Sequence, residues 1–160
     1  MTIDERLKQL GIVLPEPFKS PTGAKYPFVW MRRIGDRGLV SGHLPLAGDG
    51  SLADPRGKVG AELTLEQGQA AARLVALSML ATLRRELGSL DRVAGWARVF
   101  GMVNVAPTFQ NIPGVINGFS NTLIEVFGEE RGLHARSAVG MANLPFDVPV
   151  EVEAEIVIGN

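Results

Sequence analysis

Strict alternation between apolar and acidic side chains near the C-terminus constrains the fold more than any other feature of the sequence. The apolar positions are Val150, Val152, Ala154, Ile156 and Ile158. The intervening positions include Glu151, Glu153 and Glu155. Because side chains of a strand point alternately to opposite faces, this segment predicts a strand with one buried face and one acidic face. Such a strand belongs to a sheet covered by helices on one side, while the other side meets water or another subunit.

Capping residues predict where helices cover that sheet. Thr64 and Gln67 fit a capping box at the start of an Ala- and Leu-rich segment, and Gly88 is a natural stop for this helix. A second helix is predicted over 113–127, ended by Gly128. A short amphipathic helix is also predicted over 3–10.

Strand patterns complete the predicted order. The segments 28–34 and 38–42 flank a Gly-Asp-Arg-Gly turn, which predicts a β-hairpin. Residues 96–105 form a further strand, in which Trp96 is expected to share a face with Arg98, Phe100 and Met102. Two final strands, at about 134–143 and 149–158, are predicted as a pair joined by a proline-containing turn. The resulting order, ββαβαββ, predicts a two-layer α+β domain with two helices on one face of an antiparallel or mixed sheet.

Composition bounds the function. The chain has 160 residues, 46% of them hydrophobic, and a net charge of −1. The length and hydrophobic content are therefore sufficient for one domain with a hydrophobic core. The net charge disfavours a generic nucleic-acid-binding surface, which needs clustered Lys and Arg. The chain has no cysteine, no apparent secretory signal and no apolar run long enough for a membrane span. We therefore expect a soluble, cytoplasmic protein without thiolate chemistry.

Familiar catalytic motifs are missing from the sequence. His43 and His134 are the only histidines, and neither lies in a metal-binding spacing. Ser41 and Ser137 lie outside any Gly-x-Ser-x-Gly elbow, and no Gly-x-Gly-x-x-Gly opens a helix. Neither a metal site nor a serine nucleophile nor a dinucleotide site is predicted.

Arg136 and Glu151 are the most informative charged residues. Arg136 lies among the small residues 135–140. Its planar guanidinium group could bind the carboxylate of a ligand, or it could form a surface ion pair with a glutamate. Glu151 could hold a water beside a substrate or could, with its neighbours, only keep a strand face soluble. The residues alone leave both pairs of alternatives open.

Four segments then resemble the RidA (reactive intermediate deaminase) family, also called YjgF-like and labelled endoribonuclease L-PSP. They are GLVSGHLPL, LEQGQAAARLVALSMLATLRRELGSLDRVAGWARV, NTLIEVFGE and, most specifically, HARSAVGMANLPFDVPVEVEAEI. The resemblance covers roughly residues 25–158, so we divide the chain into an N-terminal extension, 1–24, and one RidA-like domain, 25–160.

This resemblance implies a chorismate-mutase-like fold and a homotrimer with clefts between subunits. It also implies hydrolysis of reactive enamines and imines, such as 2-aminoacrylate, to 2-oxo acids and ammonia, as in 2-iminobutanoate/2-iminopropanoate deaminases. No metal or other cofactor, no nucleic acid and no membrane is implied as a partner. The expected ligand is a small carboxylate or imino acid.

The resemblance also implies roles for individual residues, each at a position that matches the family motif. Arg136 matches the arginine that binds the substrate carboxylate, and Glu151 matches the glutamate that positions the attacking water. The cleft-lining residues implied by the match are Ser41, Gly42, Phe28, Asn121 and Ala138. Ala138 stands where many members have a cysteine, so only a backbone role is implied there.

The sequence departs from the family pattern at several positions. Phe28 replaces a tyrosine of the well-studied deaminases, His43 replaces a glutamine, and Gly140 stands where an acid is common. The connection 104–120 is also longer than usual. A non-catalytic trimer that binds small carboxylates is therefore the alternative to a deaminase, and the ribonuclease activity suggested by the old label is disfavoured by the net charge and the two remote histidines.

Overall fold

The computed structural model describes residues 1–159, in which helices cover one face of a five-stranded sheet. The described helices are α1 (Ile3–Gln9), α2 (Leu65–Leu87) and α3 (Ile112–Gly132). The strands are β1 (Met31–Ile34), β2 (Arg37–His43), β3 (Val93–Asn104), β4 (Ala135–Met141) and β5 (Val150–Ile158). The predicted α+β class and the order of its elements are confirmed.

The sheet is mixed and has the strand order β1-β2-β5-β3-β4. β3 and β4 run parallel because α3 connects them as a crossover, whereas the other neighbours are antiparallel. The prediction that the two C-terminal strands pair with each other is wrong, since β3 lies between them. β4 is consequently an edge strand, and this edge position matters for Arg136.

Predicted caps define the two long helices. Thr64 accepts a hydrogen bond from the Gln67 amide and Gln67 reaches back to the Thr64 amide, which confirms the capping box. Gly88 ends α2 in a left-handed conformation with φ of 78°. Gly128 interrupts α3 with a non-helical φ of 75°, so the predicted stop is a kink before a last turn that extends to Gly132.

Trp96 does not lie on the face predicted for it. The ladder between β3 and β5 shifts register between Trp96 and Arg98, so the simple alternation fails at this point. Trp96 turns instead toward the helices, where its ring meets Phe119 and Phe127 at centroid distances of 6.2 and 5.8 Å. The aromatic ring is thereby buried, which the alternation alone did not predict.

The N-terminal residues are part of the hydrophobic core. Ile3 and Leu7 of α1 and the following Leu14 are all buried. The Ile3 amide donates to the Asp91 carboxylate at 3.0 Å, and Arg6 Nε donates to the Glu125 carbonyl at 3.1 Å. The segment predicted as an N-terminal extension is therefore attached to the helical layer.

The two faces of β5 have the predicted characters. Its apolar side chains are buried beneath α2 and α3, and its glutamates lie on the helix-free face. Among residues 1–159, no helix combines the length and hydrophobicity that crossing a membrane requires.

Candidate functional site

Arg136 lies on β4 with its side chain directed toward α3. It pairs in register with Val99, a fully buried residue, so the two share the helix-covered face of the sheet. Its Nη1 atom donates to Asn117 Oδ1 at 2.9 Å and to Ser120 Oγ at 3.0 Å, and Nη2 donates to the Pro113 carbonyl at 3.3 Å. The guanidinium is therefore held by three acceptors of α3.

All three acceptors of the Arg136 guanidinium are uncharged. Among residues 1–159 no carboxylate forms an ion pair with it, and its Nε atom has no hydrogen-bond partner. Partial burial lowers the pKa of Arg136, yet the group stays a cation at any physiological pH. Of the five N–H donors of the guanidinium, the two on Nη1 and one on Nη2 are occupied, so Nε–H and one Nη2–H remain available for a carboxylate.

Glu151 lies on the opposite face of the sheet. It pairs with Met102 of β3, three residues after the position that pairs with Arg136, and an odd separation along a strand reverses the face. Arg136 and Glu151 therefore do not meet within one chain. Any site that uses both must combine them from different copies.

The three glutamates of β5 differ in their surroundings. Glu155 binds Arg37 at 2.6 Å, and this hydrogen bond lowers its pKa. Glu153 is exposed. Glu151 is half-buried and accepts no hydrogen bond from any other residue in 1–159; burial, aided by the charge of Glu153, raises its pKa. Glu151 is thus the best placed of the three to take up a proton.

A bulge in β2 brings Ser41 and Gly42 next to Glu151. The β2–β5 register shifts between Val40 and His43, and a Cβ built on Gly42 would lie 2.1 Å from Glu151 Oε1. Only glycine leaves room for that carboxylate. Ser41 Oγ donates to the Val29 carbonyl at 2.7 Å, which fixes the segment before β1 beside the bulge.

His43 fastens the bulge to α2. Its Nδ1 atom lies 2.6 Å from the Ser41 carbonyl and its Nε2 atom 2.9 Å from Thr82 Oγ1. The ring is almost fully buried, and burial lowers its pKa to about 4. The imidazole is therefore neutral near pH 7, and it serves as a structural link where the family pattern has glutamine.

Phe28 belongs to an aromatic cluster composed of Phe18, Tyr26, Phe28, Trp30 and Phe146. Its ring lies 5.2 Å from Trp30 and 5.4 Å from Tyr26, and half of its surface is exposed. The exposed part lines an open groove of about 660 Å³ on the helix-free face, together with Ser41, Phe100 and Glu153. Tyr26 does not line this groove, and its hydroxyl is hydrogen-bonded to Ser20 Oγ at 3.0 Å.

The remaining residues implied by the resemblance lie on the two elements that carry Arg136 and its acceptors, β4 and α3. Ala138 pairs with Gly101 on the helix-covered face of β4. Asn121 is exposed, and its side chain makes no hydrogen bond among the described residues, whereas Asn117 and Ser120 contact Arg136. Sequence reasoning missed these two; their spacing from Pro113, four and seven residues, was the available signal, because such positions share a helix face.

The site therefore divides into two halves with complementary chemistry. One half, around Arg136, offers a cation with a free pair of N–H donors for a carboxylate. The other half, around Glu151, offers a carboxylate that can orient or deprotonate water beside the Ser41–Gly42 bulge. No group of three or more His, Asp or Glu side chains within residues 1–159 is arranged to hold a metal ion.

Comparison with known proteins shows which protein family this chain resembles. Residues 4–152 match the family model described as "YjgF/chorismate mutase-like, putative endoribonuclease". Protein TCP17 of Trypanosoma cruzi is 41% identical over 154 residues, which cover 96% of this chain and 92% of that protein.

Two solved structures resemble the whole chain. The protein Atu1372 of Agrobacterium tumefaciens, described as of unknown function, is 37% identical with a TM-score of 0.87, covering 98% of this chain and 92% of that one. A protein of Shewanella oneidensis MR-1 that carries the same endoribonuclease description is 29% identical with a TM-score of 0.89, covering 98% and 99%. The chain belongs to the YjgF/chorismate mutase-like family.

Proposed function

We propose that the protein hydrolyses reactive 2-imino and 2-enamino acids to 2-oxo acids and ammonia. The observation that carries the proposal is the Arg136 guanidinium, which is held only by uncharged acceptors and keeps Nε–H and one Nη2–H without a partner among residues 1–159. A cation left without a carboxylate partner by its own chain suits the carboxylate of a small acid.

The proposed cleft lies between subunits of a cytoplasmic homotrimer. Arg136 of one copy faces Glu151, the Ser41–Gly42 bulge and Phe28 of the next copy. Support comes from the placement of Arg136 and Glu151 on opposite faces of one sheet, which prevents a single chain from bringing them together. In the proposed trimer, the contact between two copies brings Arg136 and Glu151 together, which the fold of one chain does not.

Hydrolysis then needs little more than positioning. Arg136 fixes the substrate carboxylate, so that C2 of the imine faces a water held by Glu151. As the water oxygen bonds to C2 and the C=N π bond opens onto nitrogen, Glu151 accepts a water proton. It returns that proton to the nitrogen, which gives a carbinolamine. Glu151 then transfers the hydroxyl proton of the carbinolamine to the amino group, so that the C–N bond breaks, the C=O bond forms and ammonia leaves. The raised pKa of Glu151 favours this exchange at neutral pH.

A direct assay tests this proposal. An amino acid oxidase generates 2-iminopropanoate or 2-iminobutanoate in the presence of semicarbazide, and acceleration of 2-oxo acid formation relative to semicarbazone formation reports hydrolysis. We expect the wild-type protein to accelerate hydrolysis and both Arg136→Gln and Glu151→Gln to lose at least about tenfold of that activity. Rates equal to free hydrolysis with a panel of imino acids would reject catalysis.

A binding protein of the same fold is the second candidate. Phe28 favours it, because a phenyl ring at this position cannot donate a hydrogen bond to a reacting group or water. Thermal stabilisation by small 2-oxo acids, abolished by Arg136→Gln and unaccompanied by turnover of any imine, would identify this alternative.

A further inference from the structure

A second histidine, His134, contacts one of the residues that hold Arg136. His134 lies just before β4, and its Nε2 atom is 2.9 Å from Ser120 Oγ. Its Nδ1 atom is 2.7 Å from the Gly132 carbonyl at the end of α3. Ser120 in turn is the acceptor 3.0 Å from Arg136 Nη1. The three side chains form a continuous relay from the end of α3 to the guanidinium.

The chemistry of the groups fixes the direction of every hydrogen bond in this relay. A carbonyl oxygen only accepts, so the proton of a neutral His134 lies on Nδ1 and points to Gly132. Nε2 is then an acceptor, and the Ser120 hydroxyl must donate to it. The lone pairs of Ser120 are left for Arg136, which can only donate. Burial and the nearby Arg136 charge lower the pKa of His134, consistent with a neutral ring.

We propose that Ser120 and His134 are positioning residues for Arg136, and that they fix the guanidinium so that its unpartnered N–H donors face the ligand carboxylate. The ligand part of this inference rests on the proposed function, whereas the relay itself does not. Without the acceptor on His134, the Ser120 hydroxyl is free to rotate and present its proton toward the cation. Asn117 alone would then hold Nη1, and the plane of the guanidinium would be less well defined.

The relay also explains why the end of α3 is connected to the site. Gly132 belongs to the short turn that follows the kink at Gly128, and its carbonyl fixes the tautomer of His134. The helix therefore contacts Arg136 directly, through Pro113, Asn117 and Ser120, and indirectly, through its C-terminal turn and His134.

Three substitutions separate positioning from a merely structural role. His134→Gln retains an acceptor, the amide oxygen, near the Nε2 position, whereas His134→Leu has similar bulk and no acceptor. Ser120→Ala removes the link itself. The Kd for pyruvate, a stable 2-oxo acid, is measured by calorimetry, and the KM and kcat for 2-iminopropanoate are measured alongside it.

We expect His134→Leu and Ser120→Ala each to raise the Kd and the KM by roughly 5- to 20-fold, somewhat less than the loss of a direct hydrogen bond to a charged ligand, while kcat changes less than about twofold. His134→Gln is expected to stay within about threefold of wild type. In the Ser120→Ala background, His134→Leu is expected to add less than about twofold, because both changes remove the same interaction. Equal losses for the Gln and Leu variants, or fully multiplicative losses in the double variant, would overturn the inference.

Arginine-selective NMR tests the relay independently of the reaction. The Nη protons of Arg136 are expected to exchange slowly with water in the wild-type protein and in His134→Gln, and rapidly in Ser120→Ala and His134→Leu. Unchanged exchange in the last two variants would overturn the relay even if the protein hydrolyses imines. Conversely, slow exchange in a wild-type protein that neither binds pyruvate nor hydrolyses imines would reject the proposed function and leave the relay standing.

Discussion

Gly42 determines whether the Glu151 carboxylate can lie beside the β2 bulge. The space that a side chain at position 42 would occupy is filled by Glu151 itself. Since the obstructing atom is the end of a flexible side chain, a larger residue would displace the carboxylate rather than unfold the sheet.

Gly42→Ala is therefore expected to lower imine hydrolysis by at least about tenfold while changing the free energy of unfolding by less than about 1 kcal/mol. Gly48→Ala is the matched control, because no atom lies within 4 Å of the added Cβ and its φ is not in the left-handed region. Activity and urea denaturation are measured for both. Wild-type activity in Gly42→Ala would show that the position of Glu151 beside the bulge is irrelevant to turnover.

Buried His43 makes stability depend on pH. Its pKa falls from 6.5 to about 4 in the folded protein, so the unfolded chain binds a proton first as the pH decreases. The contribution that neutral His43 makes to the free energy of unfolding above pH 6.5 is therefore lost as the pH falls from about 6.5 to 4. The full loss is on the order of 3 kcal/mol, at ~1.4 kcal/mol for each unit of pKa shift.

His43→Gln provides the test, since glutamine retains donors and acceptors but does not titrate. Free energies of unfolding at pH 7.0, 5.5 and 4.5 are compared for the wild-type protein and the variant, so that carboxylate titrations common to both cancel. As the pH falls, we expect the free energy of unfolding to decrease more in the wild-type protein than in His43→Gln. Parallel pH profiles would mean that His43 takes up its proton equally in the folded and unfolded states.

At the scale of elements, α1 behaves as part of the helical layer. Ile3 and Leu7 are almost fully buried, and α1 is tied to Asp91 and to the Glu125 carbonyl of α3. Since α3 carries the acceptors that hold Arg136, α1 supports the helix on which the site depends.

Leu7→Ala is expected to destabilise the protein by about 2–4 kcal/mol, the usual cost of truncating a buried leucine. Val13→Ala, at a position that is 86% exposed, is expected to change stability by less than about 0.5 kcal/mol. Chemical denaturation of both variants measures the difference. Similar small effects for the two would indicate that α1 contributes little to the cooperative fold.

The sequence predicted these elements well where the signal was local. Caps at Thr64 and Gly88 and the alternation of β5 depend only on neighbouring residues, and all were confirmed. The burial of Trp96 was not predicted, because it follows from a shift in the β3–β5 ladder that no local pattern encodes. The position of β3 between β4 and β5 was missed for the same reason, since strand order is a tertiary property.

The candidate site was predictable to a similar extent. The family match supplied Arg136 and Glu151, and alternation alone placed Glu151 on the helix-free face. Asn117 and Ser120, which contact Arg136, and His134, which contacts Ser120, were missed, because these contacts depend on how α3 is rotated above β4. Single-sequence reasoning identifies the charged residues more readily than the neutral residues that orient them.

At the scale of the whole molecule, the proposed cleft is assembled from two chains. If Arg136 comes from one copy and Glu151 from the next, two different inactive variants can complement each other. Arg136→Gln chains still supply Glu151, and Glu151→Gln chains still supply Arg136.

Refolding an equal mixture of these two variants is expected to restore about a quarter of the wild-type activity, because about a quarter of randomly formed interfaces pair two intact residues. Each variant refolded alone is the control and is expected to stay inactive. Analytical ultracentrifugation establishes that mixed and unmixed samples have the same mass. A mixture as inactive as its components would place both residues in separate sites.

Because Arg136 and Glu151 lie on opposite faces of one sheet, each chain would serve two neighbours at once. A chain that has lost both residues would therefore damage two clefts rather than one. In a cell that makes intact and doubly defective chains in equal amounts, about a quarter of the clefts would remain functional rather than half. In the proposed assembly, a doubly defective chain would thus lower the activity of the intact chains with which it assembles.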